Sequence, residues 1–250
     1  MSVVGGMTRA AVAVNVRQPT TVLFGFVMPI GIIIVFQLIG QEVLGGDNVA
    51  NQVVPGILAY SIANASLSAS ALTFTAWRNS GLLTRLRLEP ITGWQILFSR
   101  YLVTAAITML QTVVFLLLGV AFLGLEVALE FWWLGFICVL MGSLVFFVIG
   151  GLVGLISKSE QAVSAGLNLV LLPLAFLSGS FVPMSSLPDG IQAVMQFTPL
   201  AALTQGLVES MSGQFLESGL WLVLIVLVVW LVISAAATTT VYRRRNTDNG

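Results

Sequence analysis

Apolar runs about as long as a bilayer is thick alternate with short polar breaks along this chain. A spanning helix needs about 20 mostly apolar residues. Six such stretches occur, at about 22–40, 53–76, 101–124, 131–156, 162–182 and 219–240. The runs are continuous and do not alternate with period two, which favours helices over a barrel. Two stretches between spans carry patterns of their own. From Trp77 to Arg100, helix formers place Leu82, Leu83 and Leu86 on one side, with Arg85 and Arg87 among them, until Pro90 stops the helix. This short basic amphipathic helix either lies on the membrane or docks a cytoplasmic partner. From Pro183 to Ser218, the stretch Ile191 to Leu207 is too short to cross and too apolar for a free loop. It reads as a re-entrant or interfacial hairpin. The expected fold is all-α: one polytopic membrane domain over residues 1–250, with six transmembrane helices and the hairpin before span six.

Composition agrees. Hydrophobic residues make up 58% of the chain and charged residues 8%, where a soluble domain carries about 25% charge. The mean hydropathy is +1.02. The few charges sort by side. Arg9 and Arg17 precede span one, and Arg78, Arg85, Arg87 and Arg100 lie between spans two and three. Lys158 follows span four, and Arg243, Arg244 and Arg245 follow span six. All ten basic residues thus fall on one side, while the opposite loops hold acids such as Glu42, Asp47, Glu126, Glu130, Asp189, Glu209 and Glu217. The positive-inside rule puts both termini in the cytoplasm. The long first span and its lack of a small-residue cleavage site argue against a cleaved signal peptide.

The ionisable inventory excludes most chemistry. Ten basic and ten acidic residues leave no net charge, hence no basic excess for nucleic acid. There is no histidine, and Cys138 is the only cysteine, so His general bases and thiolate or His metal sites are absent. No catalytic or metal-ligating residue is expected. The acids lie at span ends or in loops, which disfavours a proton relay or intramembrane hydrolysis. The only lysine, Lys158, lacks the preceding glycine of a phosphate-binding loop. Energy for uphill transport would have to come from another chain.

The polar content inside the spans is mild. Ser61, Asn64, Ser68 and Thr75 share one helix face of span two, and Ser66, Ser70 and Thr73 share roughly the opposite one. Such residues serve either as close-packing contacts between helices or as the lining of a substrate path. Asn168 in span five carries the same two readings, since its amide needs a partner in hydrocarbon. Gly150 and Gly154 in span four form a Gly-x-x-x-Gly pair, which permits close crossing within the chain or between protomers.

Three regions resemble the membrane subunit of type-2 ABC exporters. Arg17-Gln-Pro19, before a span containing Pro29, is similar to the start of that family. The run from Arg78 through Gly81, Leu82, Leu83, Arg85, Leu86 and Arg87 to Pro90 resembles its cytoplasmic coupling segment, although Glu89 stands where Thr commonly precedes the proline. Leu177-Ser-Gly-Ser-Phe-Val-Pro183, followed by Leu187-Pro188 and Thr198-Pro199-Leu200, resembles its outer signature. The resemblance covers nearly the whole chain. It implies a permease in the bacterial cytoplasmic membrane, working with two ABC ATPase subunits and a second permease as homodimer or heterodimer. It implies that the 78–90 segment seats on the ATPase, and that ATP and Mg are bound there and no cofactor is bound by this chain. The expected function is export of a hydrophobic or amphipathic substrate such as a drug, lipid or glycolipid. The other readings are an ATP-independent transporter or channel, and a membrane scaffold that recruits a cytoplasmic protein.

Overall fold

The computed structural model describes residues 49–80, 93–125, 127–128, 132–182, 184–213 and 220–247, with Gly31 and Ile34. Among them are seven α-helices and no strand: α1 Val49–Asn79, α2 Gly93–Leu123, α3 Trp132–Ile156, α4 Glu160–Leu177, α5 Asp189–Met195, α6 Pro199–Ser212 and α7 Leu220–Thr247. A single 3-10 turn, Met184–Ser186, precedes α5. Five helices are long and apolar enough to cross a membrane: Val53–Asn79, Leu97–Phe122, Trp132–Ile156, Glu160–Leu177 and Trp221–Val241. They coincide with the second to sixth predicted spans. Apart from Gly31 and Ile34, the first predicted span, 22–40, lies outside the described residues, and so does the coupling segment from Gly81 onward.

The bundle is organised around α1, which packs most extensively on α3 and also touches α2, α4 and α6. Residue contacts set the directions. Thr75 and Arg78 near the end of α1 bond Gly154 and Leu155 near the end of α3, so these two helices run parallel. Arg100 early in α2 reaches Thr73, and Gly119 late in α2 lies against Val54, so α2 runs antiparallel to α1. The bundle therefore has an Arg78 end and a Leu125 end.

Lipid tails are as apolar as leucine, so helix association in a bilayer rests on close packing and hydrogen bonds. Both occur between α1 and α3. Gly150 and Gly154 lie against the backbone carbonyls of Leu67 and Ala71, leaving no room for a Cβ. The Gly-x-x-x-Gly pair thus works within the chain. At its edges Ser70 Oγ donates to the Phe147 carbonyl at 2.6 Å, and Thr75 Oγ1 to that of Gly154 at 3.1 Å.

The helix α4 buries only Val163, Leu167, Leu171 and Ala175, one residue in every four. The rest of its surface is open, and Leu169 is 77% exposed. A face of that kind is stable only against lipid or protein. The fifth span was expected to reach residue 182, but α4 ends at Leu177. Ser178 caps it, and Gly179 adopts φ +83°, a left-handed conformation that turns the chain.

The segment after that turn is largely helical. The short, exposed α5 leads through residues 196–198 into α6. Thr198 caps α6, accepting from the Ala201 amide at 3.3 Å, and Pro199 takes the first helical position, where its missing N–H costs nothing. With 14 residues α6 is about 21 Å long, too short for the hydrocarbon core. Yet nearly all of it is buried, against α1, α3 and α7. Gly206 admits Cys138 of α3 and Val223 of α7, and Leu203 fills the space left by Gly142. The contact of Gly206 with Val223, and the bond from Trp230 to Phe197, make α6 antiparallel to α7.

Candidate substrate path and coupling end

The predicted path residues on α1 separate. Thr75 is fully buried and its hydroxyl donates to the Gly154 carbonyl of α3. Asn64 and Ser68 lie on a half-buried face, where the Ser68 hydroxyl donates to Asn64 Oδ1 at 3.2 Å. Ser61 is buried, and its hydroxyl oxygen has no hydrogen-bond partner; the same holds for Ser66. Asn168 is exposed on α4, and its amide donates to the Ser164 carbonyl one turn back, at 2.9 Å. The helix thus supplies a partner for one of the amide's two N–H groups. The structure therefore leaves Ser61, Asn64 and Ser68 as one local group, with Thr75 and Asn168 apart from it.

A second polar surface lies on α2, masked in the sequence by the apolar residues around it. Thr104, Thr108, Gln111 and Thr112 of α2 are all buried. Their spacings of four, three and one place them on one side of the helix. The threonine hydroxyls bond back to carbonyls of their own helix, Thr108 to Ala105 at 3.0 Å and Thr112 to Thr108 at 2.8 Å. Near the start of α2, the Tyr101 hydroxyl donates to the Leu140 carbonyl at 2.8 Å and thus ties α2 to α3. Toward the Leu125 end, Thr112 joins Gly135 and Ser210 around a cleft of about 20 Å³ between α2, α3 and α6, room for about one water.

A third group joins the turn after α4 to α6. Ser178 Oγ is 3.1 Å from Ser180 Oγ, and Ser180 Oγ is 2.8 Å from Thr204 Oγ1. The Thr204 hydroxyl also lies 2.9 Å from the Leu200 carbonyl. The Ser180 carbonyl presses on Gly56 of α1, where only a glycine fits. The signature-like run after Leu177 is thus wedged between α1 and α6.

Glu209 corrects an expectation. The charge pattern puts it in an outer loop with the other acids, but it sits inside α6 and is only 7% exposed. Gln205, one turn earlier and exposed, donates its amide to Glu209 Oε1 at 2.7 Å. Glu209 Oε2 is buried without a hydrogen-bond partner.

At the opposite end, Arg78 is the one predicted coupling residue among the described residues. Its guanidinium donates to the Leu155 carbonyl at 3.1 Å and to Asn79 Oδ1 at 3.3 Å. A cation on the last carbonyls of a helix satisfies free acceptors and opposes the helix dipole. Arg78 thus clamps α1 to the C-terminus of α3. The other predicted coupling residues, Gly81, Leu82, Leu83, Arg85, Leu86, Arg87 and Pro90, lie outside the described residues. Lys158 occupies the turn between α3 and α4, where Ser159 caps α4 by accepting from the Ala162 amide at 3.2 Å. Among the described residues, no group of three His, Cys, Asp or Glu is arranged to hold a metal ion.

Comparison with known proteins matches this architecture. Residues 4–212 match the family model described as ABC-2 type transporter. The chain is 23% identical over 227 residues to a Bacillus subtilis protein named as the transport permease YvfS, covering 86% of this chain and 87% of that one. It is 24% identical over 179 residues to YbhR of Escherichia coli, named as a multidrug ABC transporter permease, covering 70% of this chain and 48% of that one. It is 26% identical over 196 residues to the Cyanophora paradoxa protein named as the transport permease ycf38, covering 74% of this chain and 65% of that one. The first family match spans four of the five described membrane-crossing helices together with the buried α6. The chain belongs to the ABC-2 type transporter family, as a multi-pass permease subunit that works with an ABC ATPase.

Proposed function

We propose that the chain is the permease of an exporter in a bacterial plasma membrane. It moves a hydrophobic or amphipathic molecule out of the cytoplasm on ATP hydrolysed by two partner ATPase subunits, and it pairs with a second permease. The observation that carries this reading is the rigid α1–α3 unit. The proposed ATPase-docking segment begins where α1 ends, and α1 is locked to α3 by Gly150, Gly154, Ser70, Thr75 and Arg78. A push on the 78–90 segment would move both helices together. At the far end α1 bears on Ser180 through Gly56, and Ser180 bears on Thr204 of α6. Motion at the ATPase would thus reach the α5–α6 element without passing through a flexible joint among the described residues.

In this scheme α5 and α6 form a re-entrant hairpin entering from the outer side. The turn at Phe197 lies beside Trp230, midway along Trp221–Val241. Export direction and an amphipathic cargo rest on the sparse charge of the bundle and on the name of the multidrug relative YbhR. The half-buried Asn64 and Ser68 face, with the buried Ser61 beside it, is the proposed cargo contact, and Arg85, Leu86 and Arg87 the ATPase contact. Leu86→Asp should abolish co-purification with the ATPase subunit while membrane insertion stays normal. Undiminished co-purification of that variant overturns the docking role.

A further inference from the structure

Glu209, bonded to the exposed Gln205, is a buried carboxyl group that the transport scheme does not use. A carboxylate removed from water needs a countercharge or several donors. Glu209 has one donor, the Gln205 amide, and its second oxygen has none. No cation is near. Arg78, Arg100 and Lys158 lie at the Arg78 end of the bundle. The basic residues at the end of α7 follow Val223 by 20 residues or more, about 30 Å along the helix. One turn before Glu209, at Gly206, the side chains that meet α6 are Cys138 of α3 and Val223 of α7. One carboxylate among such neighbours offers too few oxygens for a metal ion, which takes about six or more. It suits a monocation that brings its own N–H donors and an apolar tail.

We propose that Glu209 is the anionic anchor of a subsite for an alkylammonium group, with Gln205 as its cover. The Gln205 amide holds the place where an ammonium N–H would donate. Gln205 is exposed, so rotating it outward opens Glu209 from the protein surface. The tail would lie toward the start of α7, which meets α6 through Val223 and Gly206 and whose Trp221 and Leu222 are exposed. The ammonium could belong to an amphipathic cargo or to a phosphatidylethanolamine headgroup. The subsite narrows the cargo class of the proposed exporter, but binding is measured on the permease alone, so failure of either idea leaves the other standing.

The test uses the full chain in phosphatidylcholine nanodiscs with radiolabelled dodecylammonium as probe. The wild type should bind it saturably, and an excess of neutral dodecanol should not displace it. Glu209→Gln, close in shape, should weaken binding about tenfold or more, as loss of a charged hydrogen bond predicts. Gln205→Ala should bind at least as tightly as the wild type, since it removes only the cover. Competition by phosphatidylethanolamine assigns the site to a lipid headgroup, and its absence assigns it to cargo. Displacement by dodecanol in the wild type, or unchanged affinity in a monodisperse Glu209→Gln protein, overturns the proposal. Should Glu209→Gln fail to fold, the dodecanol competition and Gln205→Ala still decide.

Discussion

Trp230 donates its indole N–H to the carbonyl oxygen of Phe197 across 2.8 Å. Phe197 belongs to the turn between α5 and α6, and its carbonyl is not part of a helical ladder. Within a bilayer such a group has no water to bond. Trp230 supplies the donor from α7 and so ties the turn to that helix.

Trp230→Phe keeps a large ring and removes only the donor. The orphaned carbonyl should cost about 1–3 kcal/mol. The purified permease should melt at a lower temperature, read by fluorescence-detected size exclusion after heating. Trp221→Phe is the control, because Trp221 is 76% exposed and should tolerate the change. Equal melting of the two variants would remove the turn's dependence on the indole.

The α1–α3 seam makes a sharper steric prediction. A methyl at position 154 would collide with the Ala71 carbonyl, a backbone atom that cannot swing aside. Gly154→Ala should therefore destabilise by about 1–3 kcal/mol, the usual range for overpacking. Gly166→Ala on α4 meets nothing within 4 Å and should be neutral or slightly stabilising. The melting temperatures of the two alanine variants should separate clearly.

Arg78 joins two roles that a pair of substitutions can part. Its bond to the Leu155 carbonyl belongs to the permease alone. Arg78→Ala should lower the stability of the isolated permease by about 1–2 kcal/mol. Leu86→Asp should leave that stability unchanged and act only on ATPase association. If Arg78→Ala leaves the melting temperature untouched, its clamp on α3 contributes nothing.

Five of the predicted spans were legible because a helix in lipid must be apolar along its whole length, and that run survives in the sequence whatever the helix packs against. Contacts that depend on partners were harder to see. Glu209 sits among Gln205, Ser210 and Ser212, a composition typical of a loop. Its burial comes from Gly206 admitting Cys138 and from Gly142 admitting Leu203, which are contacts between distant segments. The polar side of α2 was within reach, since Thr104, Thr108 and Thr112 recur every fourth residue. The strongly apolar average of the span conceals it. The early end of α4 followed from Ser178-Gly179, where a glycine turn outweighs the apolar Phe181 and Val182 beyond it.

The hydroxyl pair of Ser180 and Thr204 offers the strictest test of how the bundle is joined. Their oxygens are 2.8 Å apart and both residues are buried. Thr204→Val keeps the shape and removes the hydroxyl, so it should cost about 1 kcal/mol. Ser180→Ala should cost a similar amount. If the two hydroxyls bond each other, each single change already breaks the bond, and the double variant should cost clearly less than the sum. A coupling of about 0.5 kcal/mol or more from the double-mutant cycle, measured by denaturation of the purified permease, is expected for groups in contact. Ser180 also retains Ser178 as a neighbour at 3.1 Å through the latter's own hydroxyl, so Ser178→Ala should weaken that coupling little. Strict additivity of Ser180→Ala and Thr204→Val would mean that the turn after α4 and the helix α6 are held together by shape alone, and that motion of α1 is not passed between them through this bond.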